Sequence, residues 1–328
     1  MADAAHDLIS ELHRKRNAHI TRLKGLAAST LPPPSPTSAA RGNNSTCSTK
    51  RRLLHWNILD GGGSRIEGIA RFLADGGYDI VTMNELNGFN KAALARLGER
   101  CGMPHTMILA KSAYHLGVLS RHPLRAMAME RGADFAHGLL CVKVLSLSLC
   151  VAHLNPHDVH RRALEAKRIL KKHAKPLIDA RQPFMLVGDL NTLSPLDKEQ
   201  HDAAGLTQRI RTGPYAKPLS KKFLTKAKTA VDYTPMQLLL DGPLTDVGAA
   251  AGHSVPTKIN ADHMHFATLR LDYCLASDAL LEPPGCHASE RTPGGARPTL
   301  ARSGVHASLL RDERTTRLSD HFLSLIHI

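Results

Sequence analysis

From Arg51 onward the chain alternates short apolar runs with segments whose apolar residues recur every three or four positions. Arg52–Leu59, Asp79–Glu85, Tyr114–Ser120, Pro183–Asp189, Leu269–Ala276 and Ser319–Ile328 have the length of strands, and Gly138–His153 is long enough for two. Arg65–Leu73 and Lys91–Cys101 have helical spacing. So has Val159–Ala174, where Val159, Ala163, Ala166, Ile169 and Leu170 form one face and a basic face opposes it. Strands alternating with helices over this length predict a mixed α/β fold with large sheets. The longest apolar stretch, Gly138–Leu154, is broken by Lys143 and by serines. None approaches the roughly 18–20 apolar residues that cross a bilayer, so no transmembrane segment is expected.

The flanks read differently. Over 1–28, Leu8, Leu12, Ile20 and Leu23 predict a basic helix ending near Gly25. Residues 29–50, rich in Ser, Thr and Ala with Pro32, Pro33, Pro34 and Pro36, predict a flexible linker. The folded domain is expected over 51–328, with a long irregular loop or insertion at 282–317, where Pro, Gly and Arg abound without periodicity. The N-terminus lacks the apolar stretch of a secretory signal, so an intracellular location, cytoplasmic or nuclear, is expected. Arg14, Lys15, Arg16, Arg22 and Lys24 leave organellar import open, while Asp3, Asp7 and Glu11 oppose it.

Chemistry-bearing residues gather where apolar runs end. Asn57 follows Leu53-Leu54 and Trp56; Asn84-Glu85 closes Ile80–Met83; His153 and Asn155 close Leu149–Val151; Asp189 and Asn191 close Phe184–Gly188. Asp272 lies inside Leu269–Leu275, and Ser319-Asp320-His321 opens the last run. One polar residue at a strand end is ordinarily a cap or turn. Repetition along the chain, with ligand and acid–base types each time, points to a shared site. Phosphoester hydrolysis needs such a set: oxygen ligands for a hard cation, a carboxylate and amides to orient water, and histidines to donate to phosphate oxygens. No GxSxG motif is present, so water is the expected nucleophile.

In order, Trp56-Asn57-Ile58, Asp79–Glu85, Gly117–Leu124, Val151–Leu154, Gly188-Asp189-Leu190-Asn191, Arg270-Leu271-Asp272-Tyr273 and Ser319-Asp320-His321 resemble the motifs of the endonuclease/exonuclease/phosphatase superfamily. The resemblance covers about residues 51–323. It implies a four-layer αββα sandwich, two mixed β-sheets packed together with helices outside, and a Mg²⁺-dependent phosphoester hydrolase, with Mn²⁺ as a substitute. It implies that Glu85 is the principal metal ligand, with Asn57 and Asp320 beside the metal. Asp189 would orient the water, Asn191 would position it with the phosphate, His153 would contact the phosphate, and Asp272 would orient His321. Two departures from the family pattern stand out. Asn84 occupies the place of a common Gln, and Phe322-Leu323 is followed by five residues only, so the strand after His321 is expected to be short and frayed.

Charge narrows the substrate class. With 43 Lys+Arg against 29 Asp+Glu, a net +14, the chain attracts polyanions, which favours nucleic acid over a phospholipid or inositol phosphate. Ala203–Val231 holds seven basic residues and no acid. Its Lys217, Lys221 and Lys222 are candidate substrate contacts, against the plainer reading of a solvated face. Arg162 is a further candidate phosphate contact, or else an i,i+3 partner of Glu165. Aromatic residues, 4% and not interleaved with the basic ones, predict no base-stacking platform.

The six cysteines lack metal-ligand spacing and are expected reduced, with Cys141, Cys150 and Cys274 buried in apolar runs. His153, His157 and His160, or His263 and His265, invite a zinc reading; no Cys or acidic set accompanies them, so all but His153 are expected in loops or solvent. A monomer is expected. Two readings compete with the hydrolase: an inactive scaffold of the same fold, and a histidine-rich metal binder.

Overall fold

The computed structural model describes residues 51–112, 114–259, 266–282, 305–311 and 313–328. The helix and linker expected at 1–50, Cys47, Cys286, His263 and His265 lie outside the described residues.

The apolar runs form strands β1 (Arg52–Asn57), β2 (Ile80–Asn84), β3 (His105–Leu109), β4 (Leu116–Ser120), β5 (Leu124–Gly132) and β6 (Phe135–Val144). They continue with β7 (Leu147–His153), β8 (Phe184–Asp189), β9 (Leu244–Asp246), β10 (Asp272–Ser277), β11 (His306–Leu310) and β12 (Leu323–His327). One sheet has the order β11-β12-β1-β2-β4-β3 and the other β5-β6-β7-β8-β10-β9. Both mix parallel pairs, β1 with β2 and β7 with β8, and antiparallel ones.

Side chains alternate across each strand, and both faces of each sheet are covered. Leu53, Ile80 and Val118 of the first sheet meet Val142, Val151, Val187 and Cys274 of the second in a central core. On the outer face of the first sheet, Leu54, Trp56, Val81 and Met83 pack on Ile69, Phe72 and Leu73 of α1 (Ile66–Asp75) and Leu94 and Leu97 of α2 (Lys91–Arg100). Outside the second sheet, Ala152, Leu186 and Leu275 pack on Ala166 of α3 (Val159–Arg168) and the following Ile169. The result is the expected αββα order.

Short helices α4 (Lys175–Asp179), α5 (Lys198–Ala203), α6 (Leu206–Thr212), α7 (Ala216–Phe223) and α8 (Thr234–Asp241) fill the chain between β7 and β9 around β8, and α9 (Asp278–Leu281) follows β10. Leu206, Ile210, Leu219 and Phe223 form a separate small core with Leu193, Leu269 and Leu271.

Three expectations are corrected. Cys141 and Cys150 are not free thiols: the β6–β7 register sets them directly opposite, with Cα atoms 4.1 Å apart, and they form a disulfide. Apolar context hid a pairing that only the hairpin register creates. Cys101 and Cys274 are buried and free. The segment 282–317 is not irregular throughout, because His306–Leu310 forms edge strand β11. The last strand does not fray: β12 lies between β11 and β1, with Leu323, Leu325 and Ile326 buried.

Candidate active site

The inward rows of five strands are apolar in the core and turn polar at one end. On β1 the row runs Leu53, His55, Asn57, and on β2 Ile80, Thr82, Asn84. On β7 it runs Leu149, Val151, His153, and on β8 Met185, Val187, Asp189; antiparallel β10 supplies Ala276, Cys274, Asp272. Register brings the ends level. Asn57 pairs with Asn84, while His153 and Asp272 flank Asp189 on the two neighbouring strands. Asparagines then tie the sheets together: Asn57 Nδ2 donates to Glu85 Oε1 at 3.0 Å and Asp189 Oδ2 at 3.2 Å, and Asn84 Oδ1 accepts the Asp189 amide at 2.8 Å.

Local backbone aims the remaining groups. Glu85 and Asn191 have left-handed φ values of 61° and 51°, uncommon for residues with side chains and concentrated at functional sites. The Glu85 carboxylate accepts the Asp60 amide at 2.9 Å, and its carbonyl accepts the Gly61 amide at 2.6 Å. Gly61 is required there, because at its φ of 70° a Cβ would stand 2.1 Å from the Asn87 carbonyl oxygen. Asn191 donates its amide to Asp189 Oδ1 at 2.9 Å. Ser319 donates to the Asn57 carbonyl at 2.6 Å, which anchors Asp320 and His321 beside β1.

The carboxylates are close and desolvated. Burial, then the neighbouring Asp320, push Glu85 up to about 7. Burial also raises Asp189, against the pull of His321 and Lys222. For Asp272 burial is outweighed by His321 and His55, which hold it below the usual carboxylate range. In turn burial of His321 is outweighed by Asp272 and Asp320, so it stays protonated well above the usual histidine range. His321 Nδ1 lies 2.7 Å from Asp272 Oδ2, while its Nε2 lies 3.8 Å from Asp189 Oδ2. His153 Nε2 is 3.6 Å from that same oxygen. Burial and His321 push His153 down to about 3, so its ring is neutral. Asp189 Oδ2 is thus ringed by one amide and two imidazoles.

Glu85, His153, Asp189, Asn191, Asp320 and His321 open on a cavity of about 210 Å³ lined also by Leu59, Tyr114, His137, His157 and Lys222. A pocket of about 150 Å³ near Gln200, His201 and Arg209 has no comparable convergence of catalytic groups.

The donor chemistry fits a hard cation. Glu85 and Asp320 are crowded carboxylates with Asn57 beside them, an all-oxygen set. Among the described residues no group of three or more His, Cys, Asp or Glu makes a closed cage. Mg²⁺ needs none, since it keeps several waters and takes one or two carboxylates. Asn57 turns its amide N–H toward Glu85 and Asp189, and its Oδ1 accepts the Leu59 amide at 3.1 Å, so it bridges these two carboxylates.

Of the outlying candidates, Arg162 turns inward. It is fully buried, and its guanidinium donates to the carbonyls of Asn155, at 2.8 Å, and Lys222. Nor is it a surface partner of Glu165, whose buried carboxylate accepts the amides of Ala136 and Asn155. Lys217 and Lys221 are exposed, Lys221 lying 3.5 Å from Asp158, whereas Lys222 is buried and lines the cavity. His157 and His160 are exposed; His153 stacks on His137 with centroids 4.3 Å apart. Sequence reading missed His55, whose Nε2 lies 3.6 Å from Asp272 Oδ1. Period two along β1 from Asn57 would have found it. No sequence signal marked His137.

The family model described as Endonuclease/Exonuclease/phosphatase family matches residues 54–321. Among solved structures, an AP endonuclease from Archaeoglobus fulgidus superposes with a TM-score of 0.57 at 13% identity, covering 84% of this chain and 98% of that one. The 3′ phosphatase NExo from Neisseria, bound to product DNA hairpin, has the same TM-score and coverage at 16% identity. The 3′-5′ exonuclease NExo from Neisseria meningitidis gives 0.56 at 16%, again over 84% and 98%. A comparison with curated proteins finds no match. With its motifs at one end of two packed sheets and a family model matched over most of its length, the chain belongs to the endonuclease/exonuclease/phosphatase family of phosphoester-hydrolysing enzymes.

Proposed function

We propose that this chain is a Mg²⁺-dependent phosphodiesterase that acts on nucleic acid by in-line attack of water at phosphorus. The observation that carries the reading is the convergence of Glu85, Asp320, Asp189, Asn191, His321 and His153, drawn from distant parts of the chain, on one cavity, with Asn57 and Asp272 bonded to them from behind. Glu85 and Asp320 would hold the metal, with Asn57 bridging Glu85 to Asp189. When bound, the metal supplies charge neutralisation at the phosphate oxygens. Asp189 Oδ2 accepts a hydrogen bond from the attacking water and aims its lone pair. Asn191 fixes that carboxylate through its backbone amide, and its side chain, oriented by a 3.3 Å hydrogen bond from Nδ2 to the Leu154 carbonyl, would position water and phosphate. His321, kept protonated by Asp272, donates to a non-bridging oxygen as charge builds there. His153, neutral, donates a second hydrogen bond.

The net charge of +14 and the exposed Lys217 and Lys221 favour a polyanion; the DNA hairpin bound by the structural relative agrees in kind. Hydrolysis by the purified chain of single- and double-stranded DNA, RNA, sphingomyelin and inositol phosphates, with and without Mg²⁺ or Mn²⁺, tests the assignment. Nucleic-acid cleavage abolished by a chelator supports it. Turnover of sphingomyelin or inositol phosphates alone would move the substrate class. No turnover of any of them would return the chain to an inactive scaffold.

A further inference from the structure

Among the described residues three Lys or Arg side chains are buried: Arg162, Arg270 and Lys222. Arg270 is paired with Asp197 and Asp246, the Asp197 contacts spanning 3.0 and 3.1 Å, and Arg162 serves two backbone carbonyls. Lys222 differs. It is 2% exposed, lies at the end of α7 with its ammonium 5.1 Å from the Phe223 ring centroid, and lines the cavity shared by Glu85, Asp189, Asp320 and His321. A buried ammonium costs several kcal/mol unless anions compensate it, and Lys222 is near enough to Asp189 to pull that carboxylate down. Two turns of design hold it: Arg162 grips the Lys222 carbonyl and, through Asn155, the loop that follows His153, while Leu219 and Phe223 seat the helix in its own small core.

We infer that Lys222 binds the scissile phosphoryl group directly, as a fixed cation facing a non-bridging oxygen, whereas Lys217 and Lys221 meet only the outer polyanion. The inference rests on the hydrolase reading of the same cavity. It separates residues that are adjacent in sequence into two roles, and it makes Arg162 a positioning residue that sets Lys222 against His153. An ammonium suits this place because a point charge with three donors needs no fixed fork geometry as the phosphoryl oxygens move. Lys222 lies outside every motif stretch from Trp56-Asn57-Ile58 to Ser319-Asp320-His321 and comes from the helices between β8 and β9.

Inorganic phosphate is the probe. Calorimetric titration of phosphate into the Mg²⁺-loaded full chain is compared for the parent, Lys222→Met, Lys222→Arg and the double variant Lys217→Met/Lys221→Met, with thermal unfolding as a check on folding. Lys222→Met should weaken phosphate binding roughly 10- to 150-fold, the range of a hydrogen bond to a charged group. Lys222→Arg should recover part of it, and the double variant should bind like the parent. With a hydrolysed substrate in hand, Lys222→Met should lower kcat as well as raise KM. Phosphate affinity unchanged within twofold in Lys222→Met would overturn the inference, as would equal losses in Lys222→Met and the double variant. If Lys222→Met does not fold, Lys222→Gln takes its place. Phosphate binding reads Lys222 even if the parent cleaves nothing, so failure of the hydrolase reading and failure of this inference are distinguishable.

Discussion

Asp272 is the group on which the proposed hydrolase reading depends most sharply, because in it Asp272 acts through His321, the imidazole that it holds at 2.7 Å. Replacing it by Asn keeps the shape and removes the charge. What is lost is one charge-assisted hydrogen bond, 2.7 Å to His321 Nδ1, with a second imidazole, that of His55, 3.6 Å away. Such a bond contributes roughly 1.5–3 kcal/mol. At roughly 2–4 °C per kcal/mol for a domain of this size, Tm should fall by roughly 3–12 °C. The pH dependence has a definite sign. Asp272 is held below its ordinary 3.8 and His321 above its ordinary 6.5, so the pair contributes fully between those values. The Tm gap between parent and variant should be widest there, closing at lower pH as Asp272 protonates and at high pH as His321 loses its proton. Turnover at saturating Mg²⁺ should fall roughly 10²–10³-fold, the usual consequence of losing a preorganised group. His321→Gln should do the same, and the double variant should be little worse than the poorer single one. Unchanged turnover in Asp272→Asn, or losses that multiply in the double variant, would refute the argument that the two residues act as a unit.

Other expectations follow from the same geometry. Glu85→Gln should weaken activation by Mg²⁺ while keeping the fold, read from the Mg²⁺ dependence of turnover beside thermal unfolding. Asp189→Asn should cut turnover by roughly 10²–10³ at saturating Mg²⁺; a variant rescued by added metal would contradict the water-orienting role. Gly188→Ala places a Cβ 1.9 Å from the Ala152 carbonyl oxygen at a φ of 154°, so β7 and β8 must part; a loss of roughly 1–3 kcal/mol in denaturant unfolding is expected, with activity falling as Asp189 shifts. Glu130 is held down to about 2, burial being outweighed by Lys172 and Arg168. Glu130→Gln should therefore be less stable than the parent above about pH 4.5, with the difference vanishing as pH falls through 2.

Much of the fold was legible in the chain because period two and period 3.6 are local properties. The runs at Arg52, Asp79 and Pro183 became β1, β2 and β8 within a few residues. β3 and β5 escaped notice because their inner faces are only partly apolar: His105–Leu109 is largely half-buried, and Leu124–Gly132 is half-buried or exposed along its length. β11 escaped because an edge strand carries polar residues such as His306 and Ser308.

The sequence by itself determined which residues can do the chemistry: an apolar run ending in Asn57, Glu85, His153 or Asp189 leaves a polar group at a strand end wherever the strand goes. Family motifs added the pairing of Asp272 with His321. Only the tertiary structure decided that these ends lie level on facing sheets, since register and strand order depend on contacts between residues such as His153, Asp189 and Asp272. The same cause moved individual residues between roles. Cys141 met Cys150 across a hairpin, Arg162 turned inward to backbone carbonyls, and Lys222 parted from Lys221 at one helix end. Neighbours in sequence share composition, but which way a side chain faces is fixed by what its element packs against.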